Sequence, residues 1–168
     1  MISTVLVEHP WATTAALVLL LVVGPVVGRS LVARPHAAWV LAGVSLLPVV
    51  ALTVVPTARE VVGGCAVQWA LPTLGAVEVM ANVVLFVPLV LLAAVASRRP
   101  VRAALVGSAL SVGIEAVQAV APVLGRSCDT TDWLANTLGA VLGGVLAWVA
   151  LRLAPTGRPA GADRSVSR

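Results

Sequence analysis

Residues 115–143 read EAVQAVAPVLGRSCDTTDWLANTLGAVLG and decide how the chain is understood. Glu115 and Gln118 stand three residues apart inside an apolar run, so they share one helical face. A short polar link follows, carrying Arg126, Cys128, Asp129 and Asp132. A second apolar run opens at Trp133 and holds Asn136, Gly139 and Gly143. From Asp129 through Asp132, Asn136 and Gly139 to Gly143, the steps are three, four, three and four. A helix starting near Asp129 therefore aligns all five in one stripe. Polar groups crowd here in a chain that otherwise avoids them.

Working outward, composition sets the class. The chain has 168 residues, 60% of them hydrophobic and 11% charged. A soluble domain carries roughly 25% charged residues. With a mean hydropathy of +1.04, the expectation is an all-α, polytopic membrane bundle. Five spans are predicted, at about 11–28, 37–55, 79–96, 103–121 and 133–151. Residues 1–152 form the membrane domain, and 153–168 read as a disordered, basic cytoplasmic tail. The N-terminus lacks the basic cluster of a signal peptide, so no cleavage is expected. Pro48 and Pro88 are expected to kink the second and third spans. The link 56–78, too broken to span, is read as a short amphipathic interfacial segment with Trp69 at head-group level.

All eleven basic residues are arginines. Nine of them (Arg29, Arg34, Arg98, Arg99, Arg102, Arg152, Arg158, Arg164 and Arg168) fall on one side of the five-span topology. Only Arg59 and Arg126 fall on the other. The positive-inside rule makes the first side cytoplasmic, with the N-terminus outside and the C-terminus inside. These arginines border apolar spans, so the high isoelectric point, about 11.0, does not indicate nucleic-acid binding. Cys65 and Cys128 then both lie in outer links, where oxidation permits a disulfide. Sequence leaves paired and free thiols both open.

Asn82, Glu115, Gln118, Asp129, Asp132 and Asn136 converge near the outer ends of their spans. Glu115 stands out, since an ionisable group within a span costs on the order of 3 kcal/mol and usually faces the bundle interior. It reads as a candidate acid or base; the plainer alternative is a hydrogen bond to Gln118, Asn82 or Arg126. Asp129 and Asp132 suit a divalent cation shared with Glu115, or a helix N-terminal cap. Arg126 suits a phosphate or carboxylate, or neutralises the aspartates. Gly139 and Gly143 suit close helix packing, holding Asn136 near Glu115. Phe86 reads as core. No specific metal is indicated.

Taken in order, these residues resemble the VanZ-like family of bacterial integral membrane proteins. The elements that carry the likeness are Asn82-Val83-Val84-Leu85-Phe86-Val87-Pro88 and Glu115-Ala116-Val117-Gln118. Arg126, Asp129 and Asp132 follow, then Asn136, Gly139 and Gly143. The likeness covers about residues 40–150. One departure is Val90, where the family often has Gly two residues after the Pro. The resemblance implies a multi-pass protein of the bacterial plasma membrane, acting in the cell envelope. The family's founding member is linked to resistance to teicoplanin, a glycopeptide antibiotic. The expected function is reduced glycopeptide susceptibility through an outward-facing site. Asn82, Gln118, Arg126, Asp129, Asp132 and Asn136 would bind an envelope lipid or lipid-linked precursor there. Two alternatives remain: an enzyme transferring or hydrolysing a phosphoryl or acyl group, with Glu115 catalytic, and a structural or partner-binding bundle.

Overall fold

The computed structural model describes residues 9–56, 64–71, 73 and 75–155. Five helices in it are long and apolar enough to cross a membrane. They are α1 (Trp11–Leu31), α2 (Pro35–Val54), α3 (Val77–Ser97), α4 (Pro100–Val120) and α5 (Thr130–Leu153). At 1.5 Å per residue, helices of 20 to 24 residues run about 30–36 Å, the depth of a hydrocarbon core. Apolar residues surround each helix, as expected where one side meets protein and the other lipid. The observed helices overrun the expected spans by a few residues. Pro35 and Pro100 sit in first turns, where a missing N–H costs nothing, and Arg29 lies in the last turn of α1. Pro25, Pro48 and Pro88 all lie inside continuous helices. The predicted tail lies outside the described residues from 156 onward, as does the middle of the long link with Arg59.

Helices α3 and α5 form the centre. Half or more of their apolar windows is buried, 56% and 50%, against 17% in each of the other three. Helix α1 packs against both, α2 against α3, and α4 against α5 and α3. The central pair closes on glycine. A Cβ added at Gly139 would stand 2.4 Å from the Val83 carbonyl oxygen, and one at Gly143 would stand 2.7 Å from that of Val87. Both are closer than two nonbonded heavy atoms tolerate, so only glycine lets the backbones approach this far. Phe86 is buried beside Gly139. Val90 replaces the glycine expected after Pro88 without opening a gap. Its side chain lies over Gly107 of α4, where an added Cβ would meet it at 2.7 Å, and beside Gly143. Small residues, Gly107 and Gly143, stand on the opposing helices, and the packing at Val90 is close.

At one end, the turns joining α1 to α2 and α3 to α4 carry exposed arginines. Arg98 adopts a left-handed conformation (φ 55°) and donates from Nη2 to the Val32 carbonyl, at 3.3 Å. The opposite end carries the polar residues. There a 3₁₀ turn, Pro122–Leu124, stops at Gly125 in the left-handed region (φ 62°). The chain then enters β2 (Cys128–Asp129). Strand β2 pairs in parallel with β1 (Cys65–Ala66), Cys65 opposite Cys128 and Ala66 opposite Asp129. The described part of the long link is thus a strap over the start of α5; the rest of the stretch expected to be amphipathic lies outside the described residues. Backbone groups too short of residues to form a helix find partners in the β2 ladder instead.

Candidate functional site

The site is built around the N-terminus of α5. Asp129 is its N-cap, and the Asp129 carboxylate accepts from the Thr131 backbone N–H at 2.8 Å. In a capping box, the residue three positions on would reach back to the N-cap N–H. Asp132 occupies that position but turns to α3, accepting from Asn82 Nδ2 at 2.7 Å. Glu115 of α4 takes over, and its Oε2 accepts from the Asp129 backbone N–H at 2.8 Å. One helix start is therefore completed by carboxylates and an amide from three helices. Glu115 is buried, with 7% of its surface exposed. This bond joins its carboxylate to backbone rather than to the side chain of Gln118 or Asn82.

A polar seam descends from Glu115 between α4 and α5. Asn136 Nδ2 donates to Ser111 Oγ at 2.9 Å, and the hydroxyls of Ser108 and Thr137 bond at 2.9 Å. Ser108, Ser111, Glu115 and Gln118 are spaced three, four and three apart and so share one face of α4. Below them the seam is carbon-packed, with Gly107 against Ala140 and Gly144 against Ala104. Asn136 is buried, yet its Oδ1 has no hydrogen-bond partner among the described residues. Asn136 is thus held by Ser111 of α4, one turn from Glu115, while Gly139 and Gly143 pack the same helix against α3.

The strap is fixed to this helix start in several ways. A disulfide joins Cys65 to Cys128, with the Cα atoms 4.5 Å apart. Gln68 brackets the first turn of α5. Its backbone N–H donates to Thr130 Oγ1 at 2.9 Å, and its carbonyl accepts from the hydroxyls of Thr130 and Thr131. Its side-chain amide donates to Asp129. Trp69 meets Trp133 edge-on, with ring centroids 6.1 Å apart. Beneath the strap lies a partly open hollow of about 130 Å³, whose walls include the disulfide, Glu115, Asp129, Thr130 and Trp133. The Trp133 indole Nε1 is buried without a partner among the described residues.

Of the expected site residues, Asn82, Glu115, Asp129 and Asp132 meet directly around the helix start. Asn136 stands one turn deeper. Arg126 is half-buried and within electrostatic reach of Asp132. Gln118 is half-buried, and its Oε1 lacks a partner among the described residues. No group of three or more His, Cys, Asp or Glu side chains among the described residues is arranged to hold a metal ion. Gln68, Ser111 and Trp133 were not singled out from the sequence as site residues. The spacing of Ser111 from Glu115 was a visible signal. The pairing of Gln68 with Asp129 spans 61 residues and left no local trace.

No curated protein and no solved structure matches the chain. A family model, VanZ/LLP1, matches residues 12–151. That match takes in all five helices, the strap, the hollow and the polar seam, and the chain belongs to the VanZ/LLP1 family.

Proposed function

We propose that this protein resides in the bacterial plasma membrane with the strap end facing outward. There the hollow receives the head group of an envelope lipid or lipid-linked precursor. Occupancy of that site lowers access of teicoplanin-type antibiotics to their target. The arginine distribution supports the orientation. The observation that carries the binding reading is Glu115. An acidic side chain lies within a span, where it is expensive, and it borders a hollow at the level where α4 and α5 reach their ends. Glu115, Asp129, Asp132, Asn82, Asn136, Gln118 and Arg126 are the residues expected to serve it.

Two measurements on the full chain test this. Val123→Cys, an exposed position on the 3₁₀ turn before β2, is expected to react with a membrane-impermeant thiol reagent in intact cells, whereas Arg99→Cys is not. Cells making the protein are expected to survive more teicoplanin than cells without it, and protein extracted in mild detergent is expected to retain an envelope lipid. Reversed labelling, or no retained lipid, would remove the reading.

A second reading has its own support. Every side-chain bond described at the site joins two elements or caps one, which is what interhelical scaffolding requires. Such contacts average about 0.6 kcal/mol in membranes. Under this reading, each polar substitution lowers stability and protection together. The enzymatic alternative requires a nucleophile beside Glu115. Thr130, the nearest hydroxyl in the hollow's wall, is committed to Gln68.

A further inference from the structure

The end of the bundle opposite Glu115 carries six exposed arginines, Arg29, Arg34, Arg98, Arg99, Arg102 and Arg152. No Asp or Glu among the described residues stands there, since Glu78, Glu115, Asp129 and Asp132 all lie at the other end. Three of the six have a local reason for their place. Arg29 and Arg152 sit in the last turns of α1 and α5, and Arg98 is the C-cap of α3. A cation suits the negative end of a helix dipole.

The other three stand at helix starts, where that reason reverses. Arg34 and Arg99 are the N-caps of α2 and α4, and neither start has a side-chain cap bond or an acidic residue in its first turn. Arg102 is the third residue of α4. At the other end, α5 begins with Asp129 and Asp132, and α3 with Glu78, the charges a helix start favours. The positive-inside rule accounts for the side on which arginines fall. It does not ask for them at helix starts. An anion from outside the chain would offset all three.

The two turns are tied together. Arg98 Nη2 donates to the Val32 carbonyl at 3.3 Å, which joins the α3–α4 turn to the α1–α2 turn. Arg99 follows Arg98 directly, and Arg34 follows Val32 by two residues. Beneath the tie, Gly28 lets α1 close on Ala150 of α5 and Val95 of α3. The level is that of head groups, since Arg152 lies over the exposed Trp148 ring, 5.2 Å from its centroid, and such tryptophans mark the membrane boundary. Leu105 and Val106 are exposed three and four residues after Arg102, on its face of α4. They offer apolar surface to an acyl chain, which a soluble anion would not use.

We infer that Arg34, Arg99 and Arg102 form a seat for the phosphodiester of an anionic phospholipid in the leaflet at this end. Guanidinium groups match phosphate oxygens in charge and in bidentate geometry. A zwitterionic head group brings its own cation and gains less. The seat is at the opposite end from the hollow, so its failure would leave the proposed function untouched.

Native mass spectrometry of the full protein in detergent tests it, with phosphatidylglycerol and phosphatidylethanolamine of matched acyl chains. Phosphatidylglycerol is expected to bind ~10-fold or more tightly, within the reach of three arginines near an anionic group. The triple variant Arg34→Gln, Arg99→Gln, Arg102→Gln is expected to lose that preference. Removing the same charge from the C-terminal segment, by Arg158→Gln, Arg164→Gln and Arg168→Gln, is expected to keep it. If the first triple variant does not fold, Arg34→Gln alone is read, with a loss of ~5-fold expected. Equal binding of the two lipids by the unmodified protein would overturn the inference. Equal losses in the two triple variants would assign binding to diffuse charge and overturn the seat. Displacement of phosphatidylglycerol by inorganic phosphate would make the site one for a soluble anion and overturn the lipid assignment.

Discussion

Helix α5 has two seams of opposite character. Toward α3, Gly139 and Gly143 press against the carbonyls of Val83 and Val87, with Phe86 and Val90 filling the space around them. Toward α4, the same helix offers Asn136 and Thr137 to Ser111 and Ser108, with Glu115 above. The first seam is dry and admits no added carbon. The second leaves acceptors without partners and rises to a hollow. Lipid cannot drive helices together by the hydrophobic effect, so close van der Waals contact must hold the bundle. The α3 seam supplies that contact and lets the α4 seam carry polar groups that add little stability. The contrast puts close packing on one side of α5 and the candidate site on the other.

A large effect that sharpens this contrast is expected at Gly139→Ala. The new methyl group meets backbone, which cannot rotate away. Overpacking of this kind costs about 1–3 kcal/mol, sometimes more. Gly113→Ala on the exposed face of α4, with nothing within 4 Å, is expected to change the melting temperature little. Equal losses at both glycines would break the contrast.

An effect of at least that size is expected at the strap. Removing both thiols, Cys65→Ser with Cys128→Ser, is expected to cost roughly 2–4 kcal/mol. Protection of β1 and β2 amides from hydrogen exchange should fall before that of α3. Global unfolding with no local stage would show that the strap is part of the core. The smallest change is expected at Ser108→Ala, which removes one hydroxyl pair worth about 0.6 kcal/mol. A loss as large as at Gly139 would make the polar seam structural. Each value comes from reversible unfolding in detergent.

These expectations also mark how far the sequence could be read. Apolar length alone located five helices, and the steps from Asp129 to Gly143 correctly put the glycines on a packed face. Span ends were missed by a few residues because Pro35 and Pro100 begin helices, and Glu78 lies in the first turn of α3. Span placement also brought Cys65 and Cys128 to one end of the bundle. Partner choice was harder. Glu115 bonds a backbone N–H, which no side-chain pattern announces. Asp132 turns from the capping position to Asn82 of α3, the helix that packs against Gly139. The order of the strap comes from β2 and α5, more than sixty residues away in sequence, so no local pattern announced it.

Glu115→Gln tests the central claim most directly, because the amide oxygen can still accept from the Asp129 N–H while the charge is gone. Thermal unfolding in detergent and teicoplanin survival of cells would be measured on the same variant. The expected result is a melting temperature within a few degrees of the unmodified protein, with protection lost. Protection retained at unchanged stability, or stability and protection falling together, would contradict a functional role for the Glu115 carboxyl group.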